Sequence, residues 1–259
     1  MRVVIKIGTS TLTYASGHVN IRRIEALCRI ISDMKNAGYE VIIVSSGAIG
    51  MGVGKLNLKE RPRDIVGKQA AAAVGQCELM YIYDTEFSRY NHTVAQLLLT
   101  APDFECDRRR DNLVGTMMRL IELGVIPIVN ENDTIATEEI VFGDNDSLAA
   151  RVAVSIGADL LVLLSDIDGL YTADPRSNKG AGAVLIERVD ELTDEIMALG
   201  GGAGSALGTG GMETKLRAAK IVTEAGYDMI IMNGACPEGL YNLLDGKAVG
   251  TRFYGKGKA

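Results

Sequence analysis

Short β-branched apolar runs alternate along this chain with stretches whose apolar residues recur every three or four positions. The first kind reads as buried strands and the second as amphipathic helices. Strands are predicted at Val3–Ile7, Val41–Val44, Val94–Leu99, Val125–Val129, Asp159–Leu164 and Met229–Met232. Between them, Ile21, Ile24, Leu27, Cys28, Ile31 and Met34 mark a helix over Ile21–Ala37 that Gly38 ends. Pro62 to about Arg89 reads as one long helix or two in succession, with an alanine-rich middle at Ala70–Ala73. Further helices are predicted from Asp107, over Leu148–Ile156, from the Met212 region through Ala225, and over Gly239–Leu244, before a tail bearing lysine and glycine. Such alternation predicts an α/β fold, a three-layer αβα sandwich on a mainly parallel sheet. No Pro/Gly/Ser linker or internal repeat divides it, so residues 1–259 are expected to form a single domain.

The strands end in polar residues, and in an open α/β sheet ligands bind outside the carboxyl ends of the strands. Val125–Val129 runs into Asn130-Glu131-Asn132-Asp133, where the strand is expected to stop. A second cluster follows at Gly143-Asp144-Asn145-Asp146-Ser147, with Asp144 or Asn145 placed to cap a helix beginning near Ser147. Each cluster alone could be an ordinary turn; together they point to a site for a polar small molecule. Asp159–Leu164 likewise delivers Ser165-Asp166-Ile167-Asp168 to an edge.

Lys6 interrupts an apolar strand, and a buried charge needs a partner. It is either a phosphate ligand at the strand end, beside an anion cradle of Gly8-Thr9-Ser10, or an edge-strand lysine facing water. Ser45-Ser46-Gly47 opens a second glycine-rich turn after a strand. It is not a P-loop: Ile49 stands where the first glycine belongs and Leu56 where Ser or Thr belongs. Gly200–Gly211 holds seven glycines, a mobile loop unless a ligand orders it. Lys215 follows in the first turn of a helix, where only a bound anion makes a cation favourable.

Composition narrows the function classes. A net charge of −6 and a pI near 5.1 argue against nucleic acid or an anionic membrane as partner. No apolar run has the length of a membrane span, and Met1-Arg2 leads directly into a strand, so a cytoplasmic location is expected. Cys28, Cys77, Cys106 and Cys236 form no CxxC and are expected as free buried thiols; His18 and His92 are too distant for a metal site. Met80, Tyr81 and Tyr83 are read as core or subunit contacts, and Arg108–Arg110, flanked by aspartates, as a solvated or subunit-facing surface.

Six motifs in order, Lys6-Ile-Gly-Thr-Ser10, Ser45-Ser-Gly-Ala-Ile49, Asn130-Glu-Asn-Asp133, Gly143-Asp-Asn-Asp146, Gly169-Leu-Tyr-Thr-Ala-Asp-Pro175 and Gly208-Thr-Gly-Gly-Met212 with Lys215, resemble the amino-acid kinase superfamily. The resemblance runs from Lys6 to about Phe253. The Asn-Glu-Asn-Asp and Gly-Asp-Asn-Asp pair is similar to the members that act on glutamate. The resemblance implies transfer of the γ-phosphoryl of MgATP to the side-chain carboxylate of L-glutamate, the first step toward proline. It implies that Lys6 and Lys215 neutralise the group in flight, with Asp146 holding them. Ser46, Asp133 and Asn145 would bind glutamate, with Asn130 beside them. ATP would meet Lys6, Ser165, Asp166, Thr209, Gly210, Gly211, Met212, Glu213, Thr214 and Lys215, and no residue is assigned to metal. A carboxylate is already a nucleophile, so positioning and charge neutralisation suffice.

The resemblance further implies a homo-oligomer and feedback inhibition by proline received over residues 134–142. Many such enzymes carry a C-terminal PUA domain, which this chain is expected to lack. Glu213 departs from the small polar residues common at its position. Acetylglutamate, aspartate, uridylate and carbamate kinases share the fold, and Asn130–Asp133 separates this chain from them. A non-catalytic nucleotide-binding protein is the reading from another class, and Lys6, Lys215 and Asp146 together argue against it.

Overall fold

The computed structural model describes residues 1–14, 18–136, 145–175, 182–201 and 211–257. The strands are β1 (Arg2–Ile7), β2 (Glu40–Ser45), β3 (Val94–Leu99), β4 (Ile126–Glu131) and β5 (Leu160–Ser165). They continue with β6 (Leu170–Tyr171), β7 (Leu185–Ile186), β8 (Arg188–Val189), β9 (Asp228–Asn233) and β10 (Thr251–Phe253). The helices are α1 (Thr9–Leu12), α2 (Ile21–Asn36), α3 (Ala48–Lys55), α4 (Ile65–Ser88) and α5 (Pro102–Glu105). After them come α6 (Asp107–Glu122), α7 (Asn145–Ser155), α8 (Asp194–Ala198), α9 (Met212–Glu224) and α10 (Gly239–Leu244).

An 8-stranded sheet runs in the order β3-β4-β2-β1-β5-β9-β10-β8. The strands from β3 to β9 are mutually parallel; β10 is antiparallel to β9, and β8 runs with β10. The chain leaves β1 toward β2 on one side and leaves β5 toward β9 on the other. That reversal opens a crevice at the carboxyl ends of β1 and β5, where an α/β sheet takes its ligand.

Alternation along β1 decides which layer each side chain joins. Val3, Ile5 and Ile7 pack with Leu27, Ile31 and Tyr83 of α2 and α4. Val4 packs on the opposite face, with Ala149 and Val152 of α7 and Leu216 of α9. Both faces are covered, which explains why Val3, Val4 and Ile5 are apolar in succession. Lys6 shares Val4's parity, so it rises toward α7 and α9.

Several expectations need correction. β4 does not stop at Val129: Asn130 and Glu131 are its last residues, and both are buried. The helix expected from near Ser147 begins at Asn145, so Asn145 is a helical residue and not a cap. Asp144 lies outside the described residues. Of the four free cysteines only Cys28 is buried; Cys77, Cys106 and Cys236 are exposed. Tyr83 is buried in the core, as one of its two readings had it, while Tyr81 is exposed and so is not a core residue. The tail bearing lysine and glycine, for which no strand was expected, contains β10, which inserts Phe253 fully into the core.

Candidate active site

Lys6 is 9 % exposed on a central strand, so the solvent-facing edge reading fails. Its Nζ lies 2.7 Å from Asp146 Oδ1. From the other side Lys215 Nζ donates to Asp146 Oδ2 at 3.1 Å. Asp146 is 1 % exposed and Lys215 6 %. Three charges thus share a buried site at the strand ends, although Lys6 and Lys215 stand 209 positions apart in the chain. Burial pushes the Asp146 carboxyl up, but the charges of Lys6 and Lys215 outweigh it, and the carboxyl stays ionised well below the usual carboxylate range. Two ammonium groups and one carboxylate leave the trio with one net positive charge. An arriving anion meets that surplus.

The surrounding backbone fits the same purpose. The Thr214 hydroxyl lies 2.9 Å from both Asp146 Oδ2 and the Gly211 carbonyl. A Cβ on Gly8 would stand 3.8 Å from Lys6 Nζ, so the Gly8-Thr9-Ser10 turn borders the ammonium. From Thr9 the segment winds into the single helical turn α1, with Gly8 as its N-cap. The first turns of α7 and α9 both meet the cluster, and the positive ends of helix dipoles favour an anion there.

Beside this charged group lies a neutral one. Asn145 Nδ2 is within 3.0 Å of the Ser45 carbonyl, 2.9 Å of Ser46 Oγ and 3.0 Å of Asn130 Oδ1. Asn130 Nδ2 donates to Gln76 Oε1 at 2.8 Å, and Asn130 Oδ1 accepts from the Glu131 backbone N–H at 2.9 Å. Ser45 Oγ is 3.0 Å from the buried Tyr83 hydroxyl, and burial pushes that phenol's pKa up. Asn145 and Asp146 are consecutive residues in one helical turn. One faces the amides, the other the lysines. Asp133 lies two residues past the end of β4, partly exposed.

At the end of β5, Ser165 is buried and its hydroxyl is 3.3 Å from Asp166 Oδ1, while Asp166 is exposed. Met212, Glu213 and Thr214 form the first turn of α9. Glu213 points outward and pairs with Arg217 at 3.2 Å, away from the lysines. Thr209 and Gly210 lie outside the described residues, as does most of the glycine-rich loop.

Two groups escaped sequence reasoning. Asp168 accepts from Asn233 Nδ2 at 2.7 Å and from the Tyr171 hydroxyl at 2.8 Å, joining the ends of β5 and β9. The bond from Asn233, then that from Tyr171, lowers its pKa. Asp168 belonged to a polar strand end in the sequence, and that was its only signal. Gln76 had none, being a lone amide in an alanine-rich helix.

No cluster of three or more His, Cys, Asp or Glu side chains able to hold a metal occurs among the described residues. No helix among them is long and apolar enough to cross a membrane.

Residues 1–233 match the amino acid kinase family. The glutamate 5-kinase of Clostridium perfringens is 54% identical over 98% of this chain and 96% of its own length. That of Carboxydothermus hydrogenoformans is also 54% identical, over 99% of this chain and 68% of its own length. The UMP kinase of Bacillus anthracis superposes with a TM-score of 0.65 over 98% of this chain and 96% of its own, at 16% identity, a likeness of fold alone. With a family match over most of its length and relatives above half identity, the chain belongs to the amino acid kinase family, in its glutamate 5-kinase group.

Proposed function

We propose that this chain transfers the γ-phosphoryl group of ATP to the side-chain carboxylate of L-glutamate, giving L-glutamyl 5-phosphate and ADP, and that the buried trio of Lys6, Asp146 and Lys215 carries the chemistry. A carboxylate oxygen attacks the γ-phosphorus, the bond to the β–γ bridging oxygen breaks, and no proton need move. Charge accumulates on the transferring group and its neighbours, and two fixed ammonium groups meet it at no reorganisation cost. The observation that carries this reading is the convergence of Lys6 and Lys215 on Asp146 with one net positive charge left over.

Ser46, Asn130, Asp133 and Asn145 form the acceptor side. The amides and the hydroxyl suit carboxylate oxygens or ammonium hydrogens, and Asp133 suits the substrate ammonium. Ser165, Asp166, Gly211, Met212 and Thr214 take the nucleotide side, with Thr209 and Gly210 assigned from the sequence motif. Mg2+ would arrive with ATP as part of the substrate and would offset phosphate charge there. Each Asp146 oxygen meets a lysine, and no group of three or more His, Cys, Asp or Glu able to hold a metal occurs among the described residues.

The pathway reading brings feedback inhibition by proline, received over residues 134–142, most of which lie outside the described set. A homo-oligomer acting in the cytoplasm completes the proposal. The test is acyl-phosphate formation from glutamate and MgATP, trapped with hydroxylamine. Hydroxamate should appear with glutamate and not with acetylglutamate, aspartate or carbamate. ATP turnover indifferent to glutamate would refute it.

A further inference from the structure

The amides around the acceptor pocket have a fixed polarity, and two backbone groups set it. The Glu131 N–H can only donate, so the atom of Asn130 that it meets at 2.9 Å is the carbonyl Oδ1. The Ser45 carbonyl can only accept, so the atom of Asn145 at 3.0 Å from it is Nδ2. Asn130 must therefore turn Nδ2 toward Gln76, and Gln76 must answer with Oε1, at 2.8 Å. Gln76 Nε2 is left buried and without an acceptor among the described residues. A buried idle donor is unfavourable, and Leu or Met would pack the site without one. The amide is kept for its carbonyl.

Gln76 is delivered there by a backbone-to-backbone contact of α4 with α3. A Cβ on Gly75 would lie 1.8 Å from the Ala48 carbonyl, and one on Gly52 1.8 Å from the Ala71 carbonyl. α3 follows directly on Ser46 and Gly47, so the same contact fixes Gln76 against the pocket.

We infer that Gln76 is a positioning residue for the acceptor substrate: it locks the Asn130 amide so that Oδ1 faces Asn145 Nδ2, and thereby turns Asn145 Oδ1 toward the substrate. This rests on the reading of Asn130 and Asn145 as glutamate-binding residues. Without the Gln76 carbonyl, the Asn130 amide loses the acceptor that holds its Nδ2 end, keeps only the Glu131 N–H and Asn145 on its Oδ1, and holds Asn145 less firmly.

Gln76→Met keeps length and helix propensity and removes the acceptor. It deletes the idle Nε2 donor and creates one at Asn130 Nδ2, so the count of unsatisfied donors is unchanged and the melting temperature should stay close to wild type. The KM for glutamate should rise about tenfold or more, while the KM for ATP should hold within about twofold. Asn130→Ala should raise the KM for glutamate as well, and Gln76→Met added to Asn130→Ala should raise it no further. If Asn130→Ala leaves the KM for glutamate unchanged, the underlying site reading fails. If Asn130→Ala raises it but Gln76→Met does not, or if the two effects multiply, Gln76 does not act through Asn130 and the inference is overturned. Parallel rises for glutamate and ATP would overturn it too, since they mark a general structural defect.

Discussion

Two neighbouring clusters sit at the same sheet edge and are built from opposite materials. The Lys6–Asp146–Lys215 cluster is fully charged, and each member is buried in contact with its opposite. The Ser46–Asn145–Asn130–Gln76 cluster has no formal charge and relies on amide direction. Transition-state charge on phosphorus is met by whole charges held in advance. An amino-acid substrate carries its own charges, so neutral dipoles of fixed polarity can receive it without a large desolvation cost. The adjacent residues Asn145 and Asp146 in α7 tie both clusters to one rigid element, which keeps donor and acceptor in register.

The largest expected effect lies on the charged side. Lys6→Met and Lys215→Met should each lower kcat by about 10²–10³, with the KM for glutamate little changed, because the charge they meet is greatest in the transition state. Thermal melts run in parallel should show that both variants remain folded. A drop confined to KM would erase the distinction between the clusters.

Next comes the acceptor side, which adds the carboxylate of Asp133 to the neutral amides. Asp133→Ala should raise the KM for glutamate by the equivalent of about 2–5 kcal/mol if the substrate ammonium is desolvated against it, leaving ATP binding unchanged. Equal weakening of both substrates would remove Asp133 from the acceptor pocket.

A smaller effect tests how the neutral cluster is held. Gly75→Ala forces a Cβ onto the Ala48 carbonyl, and α3 must separate from α4. Overpacking of this kind costs about 1–3 kcal/mol. The melting temperature should fall, and the KM for glutamate should rise more than that for ATP, because Ser46 and Gln76 flank the displaced contact. The Lys6–Asp146–Lys215 geometry does not depend on it.

The last effect is one of pH. Asp146 titrates in the unfolded chain near its ordinary value of 3.8 and well below that in the folded one. Its contribution to stability is therefore fully present above about pH 4 and is lost as pH falls further, since the unfolded chain then binds the extra proton. Asp146→Asn should flatten the acid limb of the melting-temperature profile; an unaltered limb would show that the charged cluster does not govern acid stability.

Much of this was legible in the sequence because the strongest signals were local. Lys6 stood out as a charge within Val-Val-Ile-Lys-Ile, and the strand parity that aims it at α7 follows from the same run. Lys215 and Asp146 carried no local signal that they meet Lys6; motif resemblance joined them, and sheet register brings them together. Asn130 and Glu131 were read as lying past a strand because polar residues rarely end a buried one. The burial of Asn130 is tolerated because its amide is satisfied by Gln76, Asn145 and the Glu131 backbone. Thr251–Phe253 was too short to register as a strand, and its pairing with β9 is set by tertiary contact. Gln76 was invisible for a different reason: a single amide has meaning only once its partners are known.

The division of labour between adjacent residues is tested most directly by a glutamate titration at saturating ATP, comparing Asn145→Ala with Asp146→Asn. Asn145→Ala should raise the KM for glutamate about tenfold or more and leave kcat within a few-fold, since it removes hydrogen bonds on the acceptor side. Asp146→Asn should lower kcat by on the order of 10² or more and spare that KM, since it releases the two lysines from their positions around the phosphoryl group. If both folded variants shift the same parameter to the same degree, the two clusters are one site with one role, and the account fails.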